Sequence, residues 1–121
     1  MKENIVMNKS YAFALKIVEI YKKLTTENKE YVLSKQLLRS GTAIGALIKE
    51  SEHAQSKADF INKMSIALKE ANETGYWLNL LKDSNYLDIE IYKSIYPDCE
   101  EIIRLLVSIV KTSKLNIKKE K

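Results

Sequence analysis

Leu37-Leu38-Arg39-Ser40-Gly41-Thr42-Ala43-Ile44-Gly45-Ala46-Leu47-Ile48 reads as one helical surface on which small and apolar residues alternate. Leu37, Ile44 and Ile48 fall at helical spacing, while Ser40, Gly41, Gly45 and Ala46 keep part of that surface low. A glycine inside a helix costs on the order of 1 kcal/mol relative to alanine. Two of them four positions apart therefore ask for a reason, and close approach of a neighbouring backbone supplies one. No Pro, Asn or Asp accompanies them to signal a turn.

Working outward, the same 3.6-residue period recurs on both sides. Upstream, a first helix is expected from about Asn8, with Asn8 or Ser10 as cap, to Leu24. Phe13, Ile17, Ile20 and Leu24 form one stripe, and Ala14, Val18 and Tyr21 lie beside it. Thr25–Lys29 reads as a polar connection to a second helix over about Tyr31–Ala54. Downstream, Ser56 is a good N-cap for a third helix over Lys57–Lys82, with Asp59 suiting the positive end of the helix dipole. Phe60, Met64, Ala67, Ala71, Leu78 and Leu81 share one face of it, and Gly75 is expected to oppose the small patch of the second helix. Asp83-Ser84-Asn85 reads as a turn. A fourth helix then runs from Asp88 to about Ser113 along the seam Tyr92, Ile95, Cys99, Ile102, Leu106 and Ile109. Pro97 interrupts its backbone bonding, but the period continues in phase, so a kink is expected rather than a break.

Three Gly and one Pro in 121 residues leave little room for loops. Four helices with short connections imply an all-α, antiparallel up-down-up-down four-helix bundle, a single domain over residues 1–121 with a basic tail at about 114–121. Ile103, Leu105, Val107 and Val110 make the fourth helix apolar nearly all round. They are expected to form a homo-oligomer contact, with help from the first helix.

Charge is distributed unevenly. Residues 1–110 carry 15 basic and 15 acidic side chains, so the net +4 resides in the last eleven residues. That points to an anionic partner at the C-terminus. The N-terminus lacks the layout of a signal peptide, and no apolar run approaches a membrane span, so a cytoplasmic chain without membrane contact is expected. Cys99 is the lone cysteine and is placed on the apolar seam, where a small core residue is commoner than a nucleophile. Glu50-Ser51-Glu52-His53 contains one Glu-x-x-His step, the half-site of di-iron bundles, but His53 is the one histidine and a full site needs two. No phosphate loop or zinc signature is present, and no enzyme activity, metal or cofactor is expected. The seven tyrosines are read mainly as packing residues at helix margins.

The residues from Ser34 to Ala46, with Ala54–Phe60, Met64–Thr74, Trp77-Leu78 and Asp98–Glu101, resemble the small bundle proteins encoded within intervening sequences of bacterial 23S ribosomal RNA genes. The accessory variability determinant of diversity-generating retroelements is similar in fold. The chain departs from the family pattern at Ala43, where Ser is common, at Leu47 and Ile48, where Asn and small residues are common, and at Pro97. The resemblance implies a ring-like homopentamer and nucleic-acid binding through a basic surface; it brings no catalytic residues. Lys111, Lys114, Lys118 and Lys119 are the expected contacts to RNA or DNA, with Arg39 and Lys35 as lesser ones. The alternative is a protein-interaction scaffold, which the evenly balanced body of the chain suits.

Overall fold

Side-chain period decides the elements. In a computed structural model that describes residues 2–120, the Glu120 side chain excepted, every described helix buries the stripe that its period singles out. The helices are α1 (Lys2–Thr26), α2 (Leu33–Ser51), α3 (Lys57–Asp83) and α4 (Ile89–Glu120). No strand occurs among the described residues. Each helix packs on its neighbours in sequence, and α1 also packs on α4, so the four form a closed square around one core. Phe13, Ile17 and Leu24 meet Leu37, Ile44, Met64, Leu78, Ile102 and Leu106 there, all 0–1% exposed.

α1 starts six residues earlier than expected. Asn8 and Ser10 look like caps, but Val6 is fully buried and continues the Phe13 stripe one heptad upstream. Ser10 is an interior residue whose hydroxyl donates to the Met7 carbonyl. The helix ends past Thr26 in a turn where Lys29 takes a left-handed backbone, with φ of 55°.

The start of α2 depends on a residue that its own first turn lacks. Val32 stands at the N-cap and offers no side-chain bond. Glu30, 8% exposed, reaches forward instead. Its carboxylate accepts from the backbone N–H groups of Val32 at 3.2 Å, Leu33 at 3.0 Å and Ser34 at 2.6 Å. Three of the four orphan donors of a helix start are met by one side chain. Burial pushes the Glu30 carboxyl up, but these N–H donors outweigh it and hold its pKa below the ordinary value.

α2 stops at Ser51 rather than near Ala54, because residues 52–54 tighten into successive i to i−3 bonds. Ser56 then caps α3 as expected, accepting from Asp59 N–H, while the Asp59 carboxylate accepts from Gln55 N–H. α3 closes in a Schellman turn. Tyr86 N–H meets the Leu81 carbonyl, Asn85 N–H meets that of Lys82, and Asn85 is left-handed at φ 68°.

α4 runs unbroken through Pro97. Pro97 and Lys93, whose carbonyl loses its partner, are both exposed, so water can serve the freed group. The helix also continues past Ser113. The segment expected as a tail forms the last turns of α4 as far as Glu120, and Lys121 lies outside the described residues.

The α1–α4 seam carries a regular column of cations. Lys2, Lys9, Lys16 and Lys23 recur every seven residues, hence on one line of α1. Lys2 donates to Ser108 Oγ at 2.5 Å, Lys9 pairs with Glu101 at 3.2 Å, Lys16 with Asp98 at 2.6 Å and Lys23 with Asp88 at 3.1 Å. These pairs are exposed, so each contributes only about 0–1 kcal/mol, and their main effect is to fix register.

Candidate nucleic-acid interface

At the end of the bundle where α1 and α3 begin, α4 projects its last turns. Lys111, Lys114, Lys118 and Lys119 are exposed there, and among the described residues none of them pairs with a carboxylate. Glu100 and Glu101 are the nearest preceding acids on α4, and Glu101 already holds Lys9. Lys119 also borders a shallow groove of about 360 Å³ with Lys57, Phe60, Ile61, Ser113 and Asn116.

Arg39 and Lys35 do not join them. Both stand on the first half of α2, near the end where α1 finishes and α4 begins. Lys35 is exposed. Arg39 is engaged across the α2–α3 seam: one guanidinium nitrogen lies 3.3 Å from both Glu70 oxygens and the other bonds Glu73. The same Glu73 oxygen accepts from the Trp77 indole at 2.9 Å. The indole bond first, and Arg39 second, hold the Glu73 carboxyl below its ordinary pKa. This cluster is a structural clamp, with its charge already answered. The six expected contact residues therefore divide into a group of four on α4 and two remote side chains.

The expected interface strip on α4 divides too. Val110 is buried, Ile103 and Leu105 are partly covered by the chain's own core, and Val107 remains 47% exposed. Apolar surface that the sequence pattern does not single out lies on α1: Ile5, Tyr11 and Leu15 are 45%, 68% and 54% exposed. Leu15 borders an open groove of about 810 Å³ between α1 and α4, floored by Ile20, Ile91 and Ile95. Their exposure is legible only once the inner stripe of α1 is fixed.

Gly75 does not oppose α2. A Cβ there would approach Tyr96 and Cys99 of α4, at 3.8 and 3.9 Å. Its neighbour Thr74 faces α2 and donates to Ser40 Oγ at 2.9 Å, or to the Glu70 carbonyl at 2.8 Å. Tyr21, Tyr92 and Tyr96 are half-buried, while Tyr11, Tyr31, Tyr76 and Tyr86 are exposed, so the packing role holds for fewer tyrosines than expected.

Chemistry-bearing groups are sparse. Cys99 is buried with its sulfur 3.4 Å from the Ala71 carbonyl. Burial, then the charges of Glu100 and Asp98, pushes its thiol pKa up to about 12, so it stays protonated at neutral pH. His53 is exposed beyond the end of α2, and Glu50 lies 3.7 Å from Lys63. No cluster of three or more His, Cys, Asp or Glu suited to a metal occurs among the described residues. No described helix is long and apolar enough to cross a membrane.

The sequence model of the 23S rRNA-intervening sequence protein family matches residues 2–108. The chain belongs to that family. Among solved structures, it is similar to a protein of unknown function from the S23 ribosomal protein family of Bacteroides thetaiotaomicron. The two share 60% identity over 92% of this chain and 99% of that one, with a TM-score of 0.90. A comparison with curated proteins gave no match. The family match ends at Ser108, one turn before Lys111, so Lys111, Lys114, Lys118 and Lys119 lie beyond the residues that define membership.

Proposed function

We propose that this chain is a cytoplasmic, non-catalytic subunit of a homo-oligomer, an antiparallel up-down-up-down bundle that binds RNA or DNA electrostatically through the end of α4. The observation that carries the reading is the contrast between two sets of cations. The lysines of α1 and Arg39 are matched by partners of the same chain, and Lys111, Lys114, Lys118 and Lys119 have none among the described residues. Unanswered cations repeated along one helix are suited to phosphates. Family membership adds the expectation of a ring of five, which would bring several such ends together and raise affinity without a new contact.

The reading predicts binding that depends on salt and little on base sequence. With about four phosphate contacts per subunit, affinity for RNA or DNA falls on the order of 100-fold between about 50 and 200 mM salt. Exchanging the four lysines for glutamine removes most of that dependence, while thermal unfolding is unchanged. Fluorescence anisotropy on labelled oligonucleotides measures the binding, and circular dichroism measures the unfolding. Absence of binding at low salt overturns the reading and leaves the protein scaffold, which the exposed α1–α4 groove would serve.

A further inference from the structure

Three cations of α4 fall into line. Arg104, Lys111 and Lys118 recur every seven residues, within about 40° of one another around the helix and about 10 Å apart along it. All three are exposed, with no carboxylate partner among the described residues. Lys114 flanks the line. The column repeats on α4 the spacing of the lysine column on α1, but that one is answered by Asp88, Asp98, Glu101 and Ser108. From residue 102 to 119 α4 carries no acid at all.

What this surface lacks is as informative. Proteins that bind single strands pair a basic groove with aromatic rings on which bases stack. Here the cations stand on a convex helix face, interspersed with aliphatic Val107 and Leu115. No Phe, Tyr or Trp occurs in 102–120, in 2–9 or in 44–59, and the other ring at this end is His53, exposed just past α2, a helix that makes no contact with α4. Phe60 is half-buried in the groove between α3 and α4. The exposed tyrosines lie away from this end. Tyr11 is level with Glu101 and Asp98, Tyr76 with Tyr96 and Cys99, and Tyr31 and Tyr86 sit in the opposite loops. A straight row of exposed cations with no ring among them matches a stiff double row of phosphates rather than splayed bases.

We infer that Arg104, Lys111 and Lys118, flanked by Lys114, form a ridge that binds the phosphate backbone of duplex nucleic acid without reading bases. The inference rests on the nucleic-acid reading above and adds to it the duplex and Arg104.

The full chain is titrated into a labelled strand of about 20 nucleotides and into its duplex, at two salt concentrations. The duplex is expected to bind about tenfold tighter than the strand. The variant R104Q/K111Q/K118Q is expected to lose on the order of 100-fold in duplex affinity, and its slope of log affinity on log salt to fall by about 3. The equally discharged K22Q/K29Q/K69Q keeps wild-type affinity and slope, which separates a ridge from bulk charge. Circular dichroism and solution mass confirm that both variants fold and assemble as wild type does. Equal or tighter binding of the single strand overturns the duplex inference and leaves nucleic-acid binding standing. Loss shared by both variants overturns the ridge. Binding of neither probe at low salt overturns both readings, and retention of polyglutamate instead would move the assignment to an acidic protein.

Discussion

Gly41, Gly45 and Gly75 have the same helical backbone and different neighbours, so the same substitution should have opposite signs. A Cβ on Gly41 would stand 2.8 Å from Ile17 Cγ1 and 2.9 Å from its Cγ2. Ile17 is fully buried and β-branched, so it cannot turn aside. Overpacking of about 1–3 kcal/mol then exceeds the roughly 1 kcal/mol gained in helix propensity, and Gly41→Ala should lower the melting temperature. Gly75→Ala meets nothing closer than 3.8 Å and should stabilise by about 0.5–1 kcal/mol, a rise of a few degrees. Thermal unfolding of the two variants decides it; equal shifts of one sign would show that the α1–α2 approach is looser than these distances. The small patch is legible in the sequence because glycine in a helix is costly. Which helix approaches which glycine is not, since Gly41 faces α1 and Gly75 faces α4 only after all four helices are placed.

At the scale of the element, α2 shows how a helix start escapes a reading based on cap residues. Its cap lies two residues upstream of the N-cap position and depends on the left-handed turn at Lys29, which nothing in that residue type announces. An acidic residue just before an apolar run was the available signal. Glu30→Gln keeps the shape and removes the charge from the bonds to Val32, Leu33 and Ser34, at a cost of about 1 kcal/mol near neutral pH. The folded pKa of Glu30 is depressed. Its contribution is therefore fully present above the unfolded value near 4.5 and is lost as pH falls through the lower folded value. Urea unfolding of wild type and variant should differ at pH 7 and converge at strongly acidic pH; a gap independent of pH would mean that the carboxylate charge plays no part. The apolar seams of all four helices were legible because burial repeats every turn. The ends of α1 and α4 were not, because Asn8 and Ser10 imitate a cap and the lysines after Ser113 imitate a tail.

Over the whole molecule, the chain's own packing covers the α2–α3 and α3–α4 sides of the square more fully than the α1–α4 side. Arg39, Glu70, Glu73 and Trp77 close the α2–α3 side, and the Tyr92–Tyr96 stack with Lys82 over Tyr92 covers part of the α3–α4 side. Between α1 and α4 a groove stays open over Ile20, Ile91 and Ile95, with Leu15 at its rim and Ile5 and Tyr11 farther along α1. Had the pattern of α4 alone set the interface, Val110 would lie outside; it is buried, and uncovered apolar surface lies on α1, at Ile5, Tyr11 and Leu15, as well as on α4, at Ile89, Val107 and Leu115. The proposed oligomer should therefore depend on Leu15. In a single chain Leu15 is already half in water, so Leu15→Asp alters folding stability by no more than about 0.5 kcal/mol. In an assembly the same change buries a carboxylate against apolar side chains and dissociates the subunits. Sedimentation should show wild type at a multiple of 14.0 kDa and the variant at that mass, with matching circular dichroism. The separated subunit keeps its own α4 ridge and loses its neighbours' ridges, so its affinity for a duplex should fall by at least about tenfold while single-subunit contacts persist. A variant that remains assembled would remove the α1–α4 groove from the interface, and a wild type at the mass of one chain would remove the oligomer.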